Sequence, residues 1–135
     1  MSTDLYIFAG GGTGGHLYPG LAVAEALRAK RPDAQVVFAC SNRAIDRRIL
    51  EATPYPYIPQ PVRPLPARPW GWPAFLAAWV RSCALARRLM GDLCPAAVLG
   101  LGGFAAAPMI CRASRVGVPT ALLNPDAVPG KANRV

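Results

Sequence analysis

A chain of 135 residues, 53% of them hydrophobic, has the length of one domain and enough apolar side chain for a real core, which excludes wholesale disorder. Fifteen Lys and Arg against seven Asp and Glu leave a net charge of +8, and no apolar run approaches the roughly 20 residues that a membrane-spanning helix needs. Four scattered cysteines (Cys40, Cys83, Cys94, Cys111) form no CxxC pair and stand near no histidine, so reduced and mostly buried thiols are expected, with no metal and no disulfide framework.

In chain order, Met1-Ser2-Thr3-Asp4 carries no basic segment, and the apolar run Leu5–Ala9 stops at Gly10. That reads as a buried parallel strand and not as a signal peptide, and places the protein in the cytoplasm. After a glycine-rich loop, Pro19 stands where a helix can begin, and Leu21, Ala24 and Leu27 keep helical spacing until Pro32. Gln35–Cys40 is a second predicted strand, and Arg43–Ala52 a short helix with Ile45, Ile49 and Leu50 on one side. Eight prolines between Thr53 and Pro73 exclude regular helix there, and Tyr55–Ile58 adds a short strand before an extended crossing segment. Ala74–Met90 is a predicted helix, Ala96–Leu101 a strand ending in a glycine pair, Ala105–Arg115 a helix and Val118–Leu123 the last strand. Asn124–Val135 is a loop rich in turn formers. Strands alternating with helices predict an α/β fold, a Rossmann-like, doubly wound parallel sheet with right-handed crossovers.

The loop Gly10-Gly11-Gly12-Thr13-Gly14-Gly15-His16 lies between a strand and a helix, at the carboxyl end of the sheet, where open α/β sheets bind ligands. Glycines let backbone approach a phosphate, and the helix start offers free N–H groups. Gly10, Gly12 and Gly15 satisfy GxGxxG, but no acid stands at the end of the second strand to hold a ribose, and no GK[ST] completes a P-loop. A dinucleotide is therefore disfavoured, and the loop by itself points only to an anion. His16, the chain's single histidine, sits beside this loop, where a neutral imidazole can serve as a base.

Read as a whole, Gly11–Ala24 resembles the opening motif of the MurG family of glycosyltransferases. Val98-Leu99-Gly100-Leu101-Gly102-Gly103-Phe104 with Pro108 is similar to that family's second glycine loop, and Gly117-Val118-Pro119 matches before the last strand. The resemblance implies a GT-B enzyme of two Rossmann-like domains, of which residues 1–135 would be the N-terminal, acceptor-binding one, with the donor-binding domain lying outside this chain. It implies inverting transfer of N-acetylglucosamine from UDP-N-acetylglucosamine to an undecaprenyl-diphosphate-linked N-acetylmuramyl-pentapeptide, in peptidoglycan synthesis. His16 would be the catalytic base; Thr13, Gly14, Gly15, Gly102, Gly103, Asn124 and Asp126 would contact substrate. No cofactor, no metal and no nucleic acid enters this picture, and no DxD occurs among the five aspartates. The chain departs from the family at Leu123-Asn124-Pro125-Asp126, where His-Glu-Gln-Asn is usual; Asp126 thus replaces an asparagine that can donate as well as accept. That departure leaves room for a related lipid glycosyltransferase, and a split enzyme with a non-catalytic, membrane-recruiting acceptor subunit is the other alternative.

Between Glu51 and Asp92 the chain has five arginines, no acid and all three tryptophans. The resemblance places a basic, aromatic membrane-facing helix at Ala74–Met90. At about 100° per residue, Leu76, Trp79, Val80 and Cys83 share one flank, Ala78, Leu85, Ala86 and Leu89 a second, and Arg81 with Arg88 a third. The second flank is the expected core face. The first, extended by Trp70, Trp72 and Phe75 and bordered by Arg81 and Arg88, is expected on an anionic membrane surface, making the protein peripheral on the inner face of the cell membrane.

Overall fold

The computed structural model describes residues 4–12 and 15–123. Five parallel strands form one sheet: β1 (Leu5–Gly10), β2 (Gln35–Ser41), β3 (Tyr57–Gln60), β4 (Ala97–Gly102) and β5 (Thr120–Leu122), in the order β3-β2-β1-β4-β5. Helices α1 (Leu17–Lys30), α2 (Ala44–Glu51), α3 (Trp72–Leu93) and α4 (Ala107–Arg115) connect them. The order reverses direction between β1 and β4, so the loops that leave those two strands open side by side at the switch point of the sheet.

Alternation along the central strands divides the core in two. Ile7, Ala9, Ala39 and Val98 point to one face and pack against Ala86, Leu89 and Met90 of α3 and Met109 and Ala113 of α4. Phe8, Val36, Phe38, Cys40 and Leu101 point to the other, against Leu17 and Ala24 of α1, Leu50 of α2 and Tyr55. Phe38 anchors that second cluster, with ring centroids 5.5 Å from Phe8 and 5.6 Å from Tyr55. Burial pushes the Cys40 thiol up to about 12, with the Asp46 carboxylate adding to the shift, so this thiol stays protonated and inert.

Several boundaries differ from the sequence reading. Helix α1 starts at Leu17, with Pro19 inside its first turn. Likewise α3 starts at Trp72 with Pro73 in its first turn, directly after a 3-10 turn at Pro69–Gly71, so the proline-rich segment is not free of helix. A proline in the first turn removes only an N–H that has no intrahelical partner, which is why both helices tolerate it. Tyr55 precedes β3 and lies buried on Phe38, while Pro59 sits within β3, an edge strand where a missing ladder donor is least costly. Helix α2 is turned by one residue from the expected face: Asp46 and Leu50 point inward and Ile45 is exposed.

Helix α3 ends at Cys94, whose φ of 45° and ψ of 59° put it in the left-handed region that favours glycine. A side chain there costs about 1 kcal/mol. Cys94→Gly relieves that strain but loosens the unfolded chain by about 0.5 kcal/mol, so it is expected to raise the melting temperature by about 2 °C. Differential scanning calorimetry checks this, and an unchanged or lower melting temperature would show that the Cys94 thiol contact to the Gly91 carbonyl, 3.4 Å away, outweighs the strain.

Candidate functional site

The carboxyl ends of β1 and β4 each carry a glycine loop, and the two loops meet. Gly12 (φ +109°) lies so close to Phe104 that a β-carbon on it would stand 2.6 Å from the ring. Gly103 (φ +77°) is hemmed in from the other side: a β-carbon there would stand 2.5 Å from the Gly11 carbonyl oxygen and 3.2 Å from Cδ2 of His16. Neither position admits a side chain, on space or on dihedral angle. Backbone of one loop thus rests directly on backbone of the other.

His16 occupies the residue just ahead of α1, half-buried, with its ring against Gly103. Its Nε2 lies 3.5 Å from the position a Gly103 β-carbon would take. The sequence-predicted residues His16, Gly102 and Gly103 are therefore brought together, with Gly102 (φ +98°) closing β4. Gly15 is exposed in the turn before His16. Thr13, Gly14, Asn124 and Asp126, the other residues expected to contact substrate, lie outside the described residues.

Two side chains that the sequence reading did not single out fasten the first loop. Asp46, completely buried in the first turn of α2, accepts the Gly12 N–H on both carboxylate oxygens, at 3.1 and 2.9 Å. The same carboxylate accepts the Ser41 N–H at 2.9 Å and the Ser41 hydroxyl. Arg43 donates to the Gly12 carbonyl at 3.0 Å and lies 5.3 Å over the Phe104 ring. Peptide N–H and C=O of Gly12 are thus both held. The available signal was Asp46 itself, the only acid in the first turn of α2, at the same end of the sheet as the glycine loop. Gln60, also buried, joins the far edge to the second loop: its Nε2 donates to Ala39 O at 3.1 Å and Ala105 O at 2.7 Å.

Helix α3 presents part of the expected outer face, with Cys83 of that flank half-buried against α4. Trp70, Trp72, Leu76 and Val80 are 72, 44, 53 and 66% exposed, and Arg81 and Arg88 are also exposed. Trp72, Phe75 and Trp79 form a ladder, with centroids 5.4 Å apart for the first pair and 6.4 Å for the second; Phe75 and Trp79 are half-buried. Ala78, Ala86 and Leu89 are buried as expected. Between α3 and α4 opens a cleft of about 220 Å³ lined by Cys83, Arg87, Cys111, Arg112 and Arg115 among others. Among the described residues, Arg112 Nε is buried there without a hydrogen-bond partner. No helix among the described residues is long and apolar enough to cross a membrane.

Residues 6–135 match the glycosyltransferase family 28 N-terminal domain. The chain is 37% identical over 132 residues to the UDP-N-acetylglucosamine–N-acetylmuramyl-(pentapeptide) pyrophosphoryl-undecaprenol N-acetylglucosamine transferase of Clavibacter michiganensis, covering 97% of this chain and 36% of that protein. To the protein of the same description in Thermodesulfovibrio yellowstonii it is 32% identical over 130 residues, again 36% of the relative's length. The crystal structure of Acinetobacter baumannii MurG superposes with a TM-score of 0.77 at 27% identity, over 97% of this chain and 37% of that one. The chain thus spans little more than a third of the relatives it matches.

The contact between the loops yields a direct prediction. Gly103→Ala forces a side chain onto the Gly11 carbonyl and the His16 ring at a left-handed φ, and is expected to destabilise the chain by about 2 kcal/mol or more. Urea unfolding monitored by circular dichroism measures it; a loss under about 0.5 kcal/mol would mean that the loops separate easily.

Proposed function

Because the chain belongs to glycosyltransferase family 28, as its N-terminal domain, we propose that it is the acceptor-side half of an inverting N-acetylglucosaminyltransferase of peptidoglycan synthesis. The donor is UDP-N-acetylglucosamine, gripped mainly by a second domain. The acceptor is undecaprenyl-diphosphate-linked N-acetylmuramyl-pentapeptide. The observation that carries this reading is His16 held against Gly103, where the two glycine loops meet at the sheet's switch point.

Inversion by direct displacement requires the acceptor hydroxyl to lose its proton as its oxygen bonds to the sugar's anomeric carbon and UDP departs. A neutral imidazole beside the loops is suited to take that proton. The glycines give a bulky sugar diphosphate access to backbone, and Gly102 and Gly103 open onto the first turn of α4, where the helix dipole favours an anion although Pro108 carries no N–H. Thr13, Gly14, Gly15, Asn124 and Asp126 complete the proposed substrate contacts.

A membrane-borne acceptor calls for a docking surface, and we assign it to α3. Its outer face offers tryptophans suited to headgroup depth, with Leu76 and Val80 beside them. Arg81 and Arg88 flank this face, and Arg87, Arg112 and Arg115 line the neighbouring cleft. Each arginine near an anionic surface contributes about 1 kcal/mol, enough in combination for reversible docking. The protein is then peripheral on the cytoplasmic side of the membrane.

Two experiments test the reading. In the enzyme joined to its donor-binding domain, His16→Ala is expected to lower kcat by roughly 10²–10⁴-fold with little change in KM. Turnover close to wild type would remove His16 from the chemistry, and a change confined to acceptor KM would make it a binding residue. Sedimentation of this chain with vesicles containing phosphatidylglycerol is expected to pellet the wild type at low salt, less at high salt, and to leave Trp79→Ala/Arg81→Glu/Arg88→Glu in solution. Equal pelleting of the two proteins, or none of the wild type, would refute docking through α3.

A further inference from the structure

We propose that Asp46 is a positioning residue for the transfer site: it locks the first glycine loop at the Gly12 N–H and thereby helps hold His16 in place against Gly103. The use assigned to the loops rests on the transferase reading above; the lock itself does not.

Asp46 is unlike an ordinary first-turn aspartate. Such a residue normally faces solvent or its own helix's free N–H groups, whereas this one is completely buried and reaches Gly12, 34 positions away along the chain. Burying a carboxylate is costly unless donors surround it, and here two backbone N–H groups and the Ser41 hydroxyl do so. A leucine would fill comparable space without that cost, but it could not fix a peptide N–H. Arg43 secures the other side of the same residue through the Gly12 carbonyl. The segment that runs on to His16 therefore leaves from a point held at both ends. The hold extends further through packing, since the Gly11 carbonyl abuts Gly103 and Gly103 abuts the His16 ring.

Nuclear magnetic resonance of the labelled 135-residue chain, comparing wild type with Asp46→Asn and Asp46→Glu, tests this. His16 is the only histidine, so its ring signals are identified without assignment. In Asp46→Asn the strand amide shifts are expected to persist. The Gly12 amide should exchange with solvent about tenfold faster or more, and the His16 ring signals should move or broaden. Asp46→Glu, which keeps the charge and the acceptor, should return Gly12 exchange toward wild type, and it serves as the informative variant if Asp46→Asn does not fold. Unaltered Gly12 exchange and His16 signals in Asp46→Asn would overturn the lock. So would Asp46→Glu behaving like a folded Asp46→Asn. A separate titration with a water-soluble, short-chain form of the lipid-linked acceptor addresses the transferase reading. Failure of the wild type to bind it counts against that reading, while the Asp46 lock stands or falls on the amide and ring signals.

Discussion

Backbone meets backbone at the switch point of this sheet, without intervening side chains, and the rest of the site depends on that approach. Gly10 and Gly20 both lie where a β-carbon would overlap Leu101, bringing β1 and α1 down onto β4. Gly12 against Phe104 and Gly103 against Gly11 carry the same closeness outward into the loops. A parallel sheet opens a crevice wherever its strand order reverses. What this sequence adds is a crevice whose two lips touch at their base, so that His16 is fixed by packing on Gly103, with no side-chain hydrogen bond to the start of its own helix.

Two charged side chains, Asp46 and Arg43, stand behind the close approach. Glycine is conformationally permissive, and Gly11 and Gly12, both at positive φ, would sample many shapes if left alone. Asp46 and Arg43 reduce that freedom at Gly12, one through the N–H and the other through the C=O. Both come from the segment that follows β2, the strand beside β1, so the fastening is anchored in the sheet and not in another loop. Gln60 plays the equivalent part for the second loop by reaching from β3 to the Ala105 carbonyl.

Much of this was legible in the sequence because it is written in period and punctuation. Apolar runs ending in glycine gave β1 and β4 to within a residue, and the two glycine segments marked the carboxyl end of the sheet where His16, Gly102 and Gly103 converge. Helix limits were less legible: Pro19 and Pro73 were read as boundaries although a first turn accommodates proline, and α3 runs three residues past Met90 because nothing stops it before the left-handed Cys94 and Pro95. Asp46 stayed hidden for a different reason. Hydrophobic periodicity assigns an acid to the solvent side, so it turned α2 toward Ile45, and only three-dimensional proximity reveals the donors that make a buried carboxylate tolerable. The end of β2 carries no acid to hold a ribose; the acid that is present, five residues beyond Ser41, faces inward and holds the loop.

The strand order also sets a timetable for biosynthesis. β1 and β2 are neighbours in sequence and pair as soon as Gln35–Ser41 is available, but β4, the other partner of β1, begins at Ala97. At roughly 5–20 residues per second, several seconds separate the emergence of the two from the ribosome. Throughout that interval Ile7, Ala9 and Ala39 lack α4, which helps cover them in the finished core, α3 arrives only near its end, and one side of β1 has unpaired backbone groups. The nascent chain is thus most exposed to misassociation while it is still incomplete, and the basic, proline-rich stretch that precedes α3 is the portion being synthesised as that vulnerability lasts.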